Sequence, residues 1–303
     1  MTVVGLDIGG TTIKAGRVDA SGRILASASA ATPLTLAAMR DVVGALVRDV
    51  GDGSASLRVG IGCRGIIDRE TTRVDSLPGA ASFLEGTLLR DLLDVAAVVA
   101  ADNDARVAMA GEMRWGAARD RRNAVMLTLG TGVGGAVLAE GQLLRGTGGV
   151  AGHLGHITVD PDGPLCICGN HGCLESLFSA RAIEGAARAA LHRGCDSVLK
   201  TGNAPSCEQI FAAAAAGDVV ASEVVTRAVR ILAGAVAGLV HAFDPEVVIL
   251  GGQISRAGEA LFAPVREQVW RRTRRLLRRE VPVIPSELHD PSGVLGAAAL
   301  VLY

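Results

Sequence analysis

Residues 5–14 read GLDIGGTTIK, a pattern typical of a β-hairpin with a glycine-rich turn at its tip. The apolar segments VVGLDI and TIKAGRVD flank the turn as two predicted strands, and ILASASA follows as a predicted third strand. Backbone N–H groups in a turn without bulky side chains can bind phosphate. The turn therefore offers a candidate phosphate site made of Gly9, Gly10, Thr11 and Thr12.

A second segment repeats this organisation in the middle of the chain. AVMLTLG is a predicted strand, TGVGG a turn and AVLAEGQLL another strand. A repeated architecture of this kind predicts related lobes, each opened by a hairpin. Turns that face one another across a cleft could hold the phosphates of a nucleotide from both sides. The candidate phosphate-binding residues of the second turn are Gly130, Thr131, Gly132 and Gly134.

Further residues near these turns have chemistry that suits a nucleotide. The Asp7 carboxylate could hold Mg²⁺ through water, and Lys14 could add a positive charge near a phosphate. Gly251 and Gly252 follow the buried strand VVILGG and would let a flat base approach the backbone. The segment 5–14 has neither the Walker nor the G-x-G-x-x-G pattern. For either turn alone, an ordinary glycine hairpin with a solvated lysine is the alternative.

The rest of the chain predicts a mixed α/β protein. Helical patterns occupy 35–50, 84–93, 104–115, 174–192, 207–243 and 293–303, and strand patterns occupy 57–68, 95–100, 247–252 and 281–285. The predicted division places 1–116 together with 292–303 in a small lobe and 117–291 in a large lobe.

Composition narrows the class of protein. The chain has 303 residues and a formal net charge of −1, which argues against binding to nucleic acid or to an anionic membrane. The basic segment RRTRRLLRRE (271–280) is interrupted by leucines and is predicted to be the solvated face of a helix. No signal-peptide pattern opens the chain, and the longest apolar run, Ile231–Val240, is too short to span a bilayer. We therefore expect a soluble, cytoplasmic protein.

Residues 151–175, AGHLGHITVDPDGPLCICGNHGCLE, concentrate cysteine and histidine. A redox centre would favour C-x-x-C, and a disulfide framework is expected of small secreted chains. Cys166, Cys168 and Cys173 with one imidazole instead make a Cys₃His set, which is typical of structural Zn²⁺. The histidines that compete for the fourth position are His153, His156 and His171.

Several motifs, taken in chain order, resemble those of the ROK family of bacterial sugar kinases and repressors. They are D-x-G-G-T-x-x-K (Asp7–Lys14), N-D (Asn103–Asp104), L-G-T-G-x-G-G (Leu129–Gly135), G-H (Gly155–His156) and C-x-C-G-x-x-G-C-x-E (Cys166–Glu175). The resemblance covers essentially the whole chain. It implies an actin-like ATPase fold, a duplicated ribonuclease-H-like architecture with two lobes around a cleft. It also implies an ATP-dependent kinase for a primary hydroxyl, C6, of a hexose, commonly assembled as a homodimer, with a tetramer as the alternative.

The resemblance also implies roles for particular residues. Asp104 would be the general base that takes the proton of the sugar hydroxyl during attack on the γ-phosphate, and Asn103 would hydrogen-bond the sugar. A helix N-cap is the structural alternative for this pair. The family pattern selects His156 as the fourth zinc ligand, which leaves its other ring nitrogen for a sugar hydroxyl. The full set of predicted sugar contacts is Gly65, Asn103, Asp104, His153, His156 and Glu175.

The chain departs from the family pattern mainly where the sugar is expected to bind. Family glucokinases usually read G-E-x-G-H where this chain has His153 in place of the glutamate, and Arg64 stands where proline often precedes Gly65. Arg106 replaces a frequent asparagine. Arg64 could face an anionic or carbonyl-bearing substituent, or it could be a solvated arginine. Glucose specificity is therefore open.

These departures leave alternatives for the function. The kinase could act on an amino or N-acetylated hexosamine instead of glucose, with ATP or polyphosphate as the donor. A non-catalytic sugar-binding or regulatory protein is the alternative of another class. A DNA-binding repressor is disfavoured, because the first glycine hairpin starts at residue 5 and a base is present.

Overall fold

The computed structural model describes residues 1–53, 57–79, 81–94, 97–200 and 202–302. The start of the predicted strand 95–100 and the last residue of the predicted helix 293–303 lie outside these residues. The strands are β1 (Thr2–Ile8), β2 (Thr12–Asp19), β3 (Ile24–Ala31), β4 (Leu57–Cys63), β5 (Ile66–Asp68), β6 (Arg73–Ser76), β7 (Ala97–Asn103), β8 (Ala124–Leu129), β9 (Val133–Ala139), β10 (Gln142–Leu143), β11 (Val247–Gly251) and β12 (Val283–Pro285). The α-helices are α1 (Leu36–Val50), α2 (Asp104–Trp115), α3 (Leu174–Phe178), α4 (Ala180–His192), α5 (Cys207–Ala215), α6 (Val219–Phe243), α7 (Glu259–Thr273) and α8 (Ser292–Ala299).

The chain divides into two compact units. The first contains residues 1–121, 143–152 and 287–303, and the second contains 122–142 and 153–286. The predicted lobes differ from these units chiefly at 143–152, which the sequence placed with the large lobe. In the structure this segment belongs to the first unit, where Arg145 forms an ion pair with Asp102 of β7.

The first unit is built on a five-stranded sheet of order β3-β2-β1-β4-β7. The predicted hairpin β1–β2 is antiparallel, whereas β1, β4 and β7 run parallel to one another. Helix α1 begins after Thr35, whose side chain accepts a hydrogen bond from the backbone N–H of Ala38. The apolar face of α1 packs into the core formed with this sheet.

The second unit repeats the same sheet, with the order β10-β9-β8-β11-β12. Strands β8 and β9 form the antiparallel hairpin, and β8, β11 and β12 are parallel. The hairpin therefore precedes the parallel strands in both units, which confirms at the level of topology the repeat predicted from the glycine turns.

Glycines let helix α8 approach the first sheet very closely. A Cβ added at Gly60 would lie 1.7 Å from the Ala297 carbonyl oxygen, and one at Gly5 would lie 2.0 Å from the Val294 carbonyl oxygen. Because no side chain fits between these backbones, small residues in β1 and β4 are what allow the C-terminal helix to pack here.

Replacing Gly60 with alanine is expected to lower the free energy of unfolding by about 3 kcal/mol, since overpacking of a rigid core costs roughly that much. The added methyl would collide with backbone, which cannot rotate away as a side chain can. Gly234→Ala is the matched control, because Gly234 lies exposed in α6 with nothing within 4 Å of the added atom. Urea titration of both variants tests this, and an unchanged midpoint for Gly60→Ala would contradict it.

Helix α6 is long and apolar enough, by length and composition alone, to cross a membrane. The shorter apolar run predicted from sequence lies within it. Of its most apolar stretch of 18 residues, 50% is buried. The helix contacts α3, α4, α5 and α7, as the core helix of a soluble domain does.

Two local predictions were wrong. Residues 84–93 form no α-helix; they contain parts of two short 3₁₀ turns, at Ser82–Leu84 and Leu89–Leu92. The basic segment 271–280 is not a helical face, because α7 ends at Thr273. After the end of α7, Arg279 binds the Asp244 carboxylate and the Pro245 carbonyl. The segment therefore packs against the C-terminal end of α6 instead of continuing α7.

Candidate functional site

The first glycine turn is held in one conformation by hydrogen bonds at its base. Gly9 donates its N–H to the Thr12 carbonyl at 3.1 Å, and a Cβ on Gly9 would lie 2.6 Å from that same oxygen. Thr32, which directly follows β3, stabilises the turn with two hydrogen bonds. Its hydroxyl donates to the Gly9 carbonyl at 2.8 Å, and its N–H donates to the Thr11 carbonyl at 3.0 Å. Gly10 and Thr11 remain exposed at the tip. Sequence reasoning missed Thr32, because nothing local connects it to the turn.

The predicted residues of the first unit meet at one edge of its sheet. In the register of the parallel strands, Ile8 pairs with Cys63, and Cys63 pairs with Asn103. The glycine turn, the loop that begins with Arg64 and the start of α2 therefore follow neighbouring strands at their carboxyl ends. This edge is where open α/β sheets bind ligands.

Asn103 and Asp104 divide two tasks between them. The Asn103 side chain caps α2 by accepting from the Ala105 N–H at 3.0 Å, and it donates to the Gly65 carbonyl at 3.0 Å. The N-cap interpretation of the sequence thus applies to Asn103. Asp104 is the first residue of the helix and is half-buried, with one carboxylate oxygen 2.9 Å from the Ala105 N–H.

Gly65 is required by the backbone. It has a φ of 89°, in the left-handed region that favours glycine. A Cβ there would lie 2.2 Å from the Ser76 carbonyl oxygen. Together with the hydrogen bond from Asn103, this geometry fixes the loop after β4.

Two carboxylates at this edge have raised pKa values. Burial raises the pKa of Asp104 above the ordinary value of 3.8, against the opposing effects of its hydrogen bond from Ala105 and of Arg64 and Arg106. Burial and the nearby charge of Asp104 raise the pKa of Asp7 to about 6, while Lys14 lowers it. Lys14 is the cross-strand partner of Asp7. The edge therefore combines two interacting acids with one lysine.

Asp102 is the centre of a buried ionic network. Its carboxylate binds the Arg106 Nε at 2.6 Å and the Arg145 guanidinium at 3.0 Å, with the side chains of Asp102 and Arg106 each only 1% exposed. Arg106 also donates to the carbonyls of Gly149 and Ala151, at 3.0 and 3.1 Å. Asp102 therefore has a structural role, and Arg106, which departs from the family pattern, holds the segment 143–152.

The glycine turn of the second unit packs against a carboxylate. The backbone N–H of Val133 donates to Glu175 Oε2 at 2.8 Å, and a Cβ on Gly132 would lie 2.3 Å from the same oxygen. The Gly130 carbonyl accepts from the Ala180 N–H at 2.9 Å. One oxygen of Glu175, predicted as a sugar contact, is thus used to hold the turn.

Four candidate ligands come together next to this turn. The atoms His156 Nδ1 and Cys166, Cys168 and Cys173 Sγ all lie within 4.8 Å of one another. The Cys166 Sγ to His156 Nδ1 and Cys168 Sγ to Cys173 Sγ separations are both 3.6 Å. Tetrahedral zinc with bonds of about 2.3 Å spaces its ligands by roughly 3.7 Å, so the arrangement fits Zn²⁺.

The other histidines lie outside this cluster. His171 points its Nδ1 at the Gly163 carbonyl, 3.3 Å away, and His153 precedes the 3₁₀ turn Leu154–His156.

Burial and the adjacent sulfur atoms raise the pKa of Cys173 to about 12, so three thiolates would coexist here only beside a cation. Asn170 supplies an N–H to Cys173 Sγ at 3.6 Å, a typical outer contact of a metal-bound thiolate.

Gly155 joins the metal cluster to the second hairpin. A Cβ there would lie 1.8 Å from the Val133 carbonyl oxygen, so only glycine lets the turn that carries His156 reach β9. Val133 also holds Glu175. The glycine turn, Glu175 and the Cys₃His cluster are therefore one packed assembly within the second unit.

Gly251 and Gly252 lack side chains where the neighbouring protein leaves no room for one. A Cβ on Gly252 would lie 2.4 Å from the Leu129 carbonyl oxygen, and one on Gly251 would lie 3.1 Å from Met126 Cε. Close packing on β8 accounts for both glycines. Approach of a nucleotide base, the reason predicted from sequence, stays a prediction for both.

The paired sheets define the class of protein. Each unit has the same strand order and opens with a hairpin whose glycine turn lies at its tip. In the first unit, carboxylates follow the parallel strands. These features are those of the actin-like ATPase fold, a duplicated ribonuclease-H-like architecture.

Comparison with known proteins identifies the family. The ROK family model matches residues 3–303. A glucokinase of Thermotoga maritima is 39% identical over 99% of this chain and 97% of its own, and an N-acetylmannosamine kinase of Citrobacter koseri is 35% identical over 99% and 98%. The crystal structure of a ROK family glucokinase from Streptomyces griseus, in complex with glucose and AMPPNP, superposes with a TM-score of 0.86 at 34% identity and 99% coverage of both chains. The chain belongs to the ROK family.

Proposed function

We propose that the protein is an ATP-dependent hexose kinase that transfers the γ-phosphate to a primary hydroxyl, C6, of its sugar. The observation that carries this proposal is the half-buried Asp104 carboxylate, which lies at the edge of the sheet where the first glycine turn also begins. High-coverage similarity to sugar kinases supports the same assignment.

The reaction needs a base and a way to hold negative charge. Asp104 accepts the proton of the sugar hydroxyl as its oxygen bonds to the γ-phosphorus, while the bond between that phosphorus and the β,γ-bridging oxygen breaks and ADP leaves with the electron pair. The N–H groups of the glycine turns bind the phosphates. The candidate nucleotide contacts are Gly9, Gly10, Thr11, Thr12, Lys14, Gly130, Thr131, Gly132 and Gly134, with Gly251 and Gly252 proposed near the base.

Asp7 is our candidate for the Mg²⁺ site. Its carboxylate is near Asp104 and Lys14, and hard oxygen donors are the ligands Mg²⁺ prefers. When bound, Mg²⁺ would neutralise charge on the phosphates of ATP. Asp7 would hold the ion, and Lys14 would add a second positive charge on the neighbouring strand.

The metal cluster is proposed to be a structural zinc site. Four protein ligands close the coordination sphere, which excludes the open position of a catalytic zinc. With Nδ1 directed at the cluster, His156 keeps Nε2 for a sugar hydroxyl. Gly65, Asn103, His153 and the second oxygen of Glu175 are the further proposed sugar contacts.

An N-acetylated or amino hexosamine is the second candidate substrate, because His153 leaves the specificity for glucose open. Glutamate accepts two hydroxyl hydrogen bonds, whereas neutral histidine offers one donor and one acceptor. This chain therefore presents a different pattern of hydrogen-bond donors and acceptors to the sugar than the G-E-x-G-H of family glucokinases.

We further expect a cytoplasmic homodimer. Light scattering can measure the mass of the assembly.

Turnover with a panel of hexoses and hexosamines tests these assignments. Release of ADP, with the phosphorylated sugar identified by mass spectrometry, is measured with ATP and separately with polyphosphate as donor. Glucose 6-phosphate would support the main proposal, and a 6-phosphorylated N-acetylhexosamine would support the second. Sugar binding without turnover on any substrate would contradict both and favour a regulatory protein.

The catalytic efficiency kcat/KM is expected to fall on acidification at a pH above the ordinary aspartate range. Burial raises the pKa of Asp104, and the charged groups around it are Asp7, Arg64 and Arg106. A base must be deprotonated to accept a proton, so activity is present above the raised pKa and lost as the pH falls through it. A pH profile measures this, and full activity down to pH 3.8, the ordinary value, would contradict it.

A further inference from the structure

Arg64 lies beside the tip of the first glycine turn. It directly follows β4, and its guanidinium Cζ and Nη1 atoms are each 3.5 Å from the position of a Cβ added to Gly10. Gly10 itself is exposed at the tip of the hairpin. A side chain at Gly10 would therefore be in van der Waals contact with the planar cation, which lies beside the turn that is proposed to bind phosphate.

The side chain of Arg64 makes no direct polar contact within the described residues. In the described part of the chain, no hydrogen bond or ion pair engages its guanidinium, although the side chain is half-buried. The other arginines near this edge behave differently, since Arg106 and Arg145 share the carboxylate of Asp102. Arg64 also acts electrostatically on Asp104, so its charge is close to the proposed base as well as to the turn. Removing a guanidinium partly from water without a hydrogen-bond acceptor is unfavourable, and an anionic ligand that accepts its hydrogen bonds would offset that cost.

We propose that Arg64 is a further catalytic residue, which binds the γ-phosphate of ATP and stabilises the charge of the phosphoryl group during transfer. This inference rests on the proposed kinase function. A guanidinium presents several N–H donors in one plane and pairs with phosphate oxygens in a bidentate manner. Because it lies near both the proposed phosphate turn and the proposed base, it can reach the group that moves from donor to acceptor. No bond to Arg64 forms or breaks in this step.

Binding of ADP and of AMPPNP, a triphosphate analogue that is not turned over, tests the assignment by calorimetry. Arg64→Gln is expected to weaken AMPPNP binding by roughly 10- to 100-fold, the range for a charged hydrogen bond, and to change ADP binding by less than about twofold. Its kcat should fall by about 10²- to 10³-fold, with Arg64→Lys recovering part of the loss because the charge remains. Arg73→Gln is the matched control for loss of one charge, since Arg73 is exposed and pairs with Asp75.

The outcomes separate this inference from the proposed function. If the wild-type protein binds neither nucleotide, the kinase proposal fails and this inference fails with it. If the wild type phosphorylates a sugar but Arg64→Gln weakens ADP and AMPPNP equally, only the role of Arg64 is overturned. A rise confined to the KM of the sugar would overturn it too and would direct Arg64 to a sugar substituent. Circular dichroism confirms folding, which the substitution should preserve because the guanidinium makes no hydrogen bond in the described residues.

Discussion

Asp104→Asn is expected to lower kcat by on the order of 10³-fold, because a general base contributes about 10²- to 10⁴-fold to a proton transfer of this kind. The amide has nearly the same shape as the carboxylate and cannot accept the proton. The helix should persist, since its N-cap is Asn103 and not Asp104. Turnover with the sugar that the panel identifies, together with AMPPNP binding, separates lost chemistry from lost binding.

Asp91→Asn is the control for this substitution. Asp91 lies in the same unit, and its side chain is 53% exposed. It should retain wild-type turnover. A folded Asp104→Asn variant with turnover close to wild type would refute the base and remove the principal support for the reaction.

Cys173→Ser is expected to abolish zinc binding and to reduce sugar-dependent turnover by at least about 100-fold, because structural zinc supplies much of the folding energy of the segment that it binds. The effect should reach the phosphate turn, since His156 and Glu175 are both attached to the start of β9 through Gly155 and Val133. Plasma emission spectrometry measures the metal, with about one zinc per chain expected in wild type. Stripping zinc with a strong chelator, then removing the chelator and restoring Mg²⁺, should reproduce the loss of activity.

Cys195→Ser is the matched control for the zinc prediction. Cys195 is exposed and is not among the clustered ligand atoms. It should retain both zinc and turnover. Wild-type protein that holds no zinc after purification in its presence, or a Cys173→Ser variant with a full equivalent, would contradict the site.

The predictions that rested on short-range patterns held well. The strands on either side of both glycine turns, the helix after Asn103 and the order of the second hairpin depend on alternation and turn residues that are local in the chain. The cysteine spacing is local as well, because Cys166 and Cys168 must share one ligand site. The α-helix predicted at 84–93 was wrong because the local spacing of apolar residues does not distinguish an α-helix from short 3₁₀ turns. Leu84, Leu89 and Leu92 are buried, but they lie in two such turns.

The sequence by itself determined the duplicated α/β architecture, the two glycine turns, the Cys₃ motif and the carboxylate at the end of β7, because each is written in neighbouring residues. Only the tertiary structure decided which distant groups meet. It turned His156, and not His171, towards the cysteines and attached Glu175 to the second turn. It also buried Asp102 between two arginines and placed Arg64 beside Gly10. The physical reason is that these contacts join segments from different strands and loops. Their geometry follows from strand register and glycine packing, which no single stretch of the chain specifies.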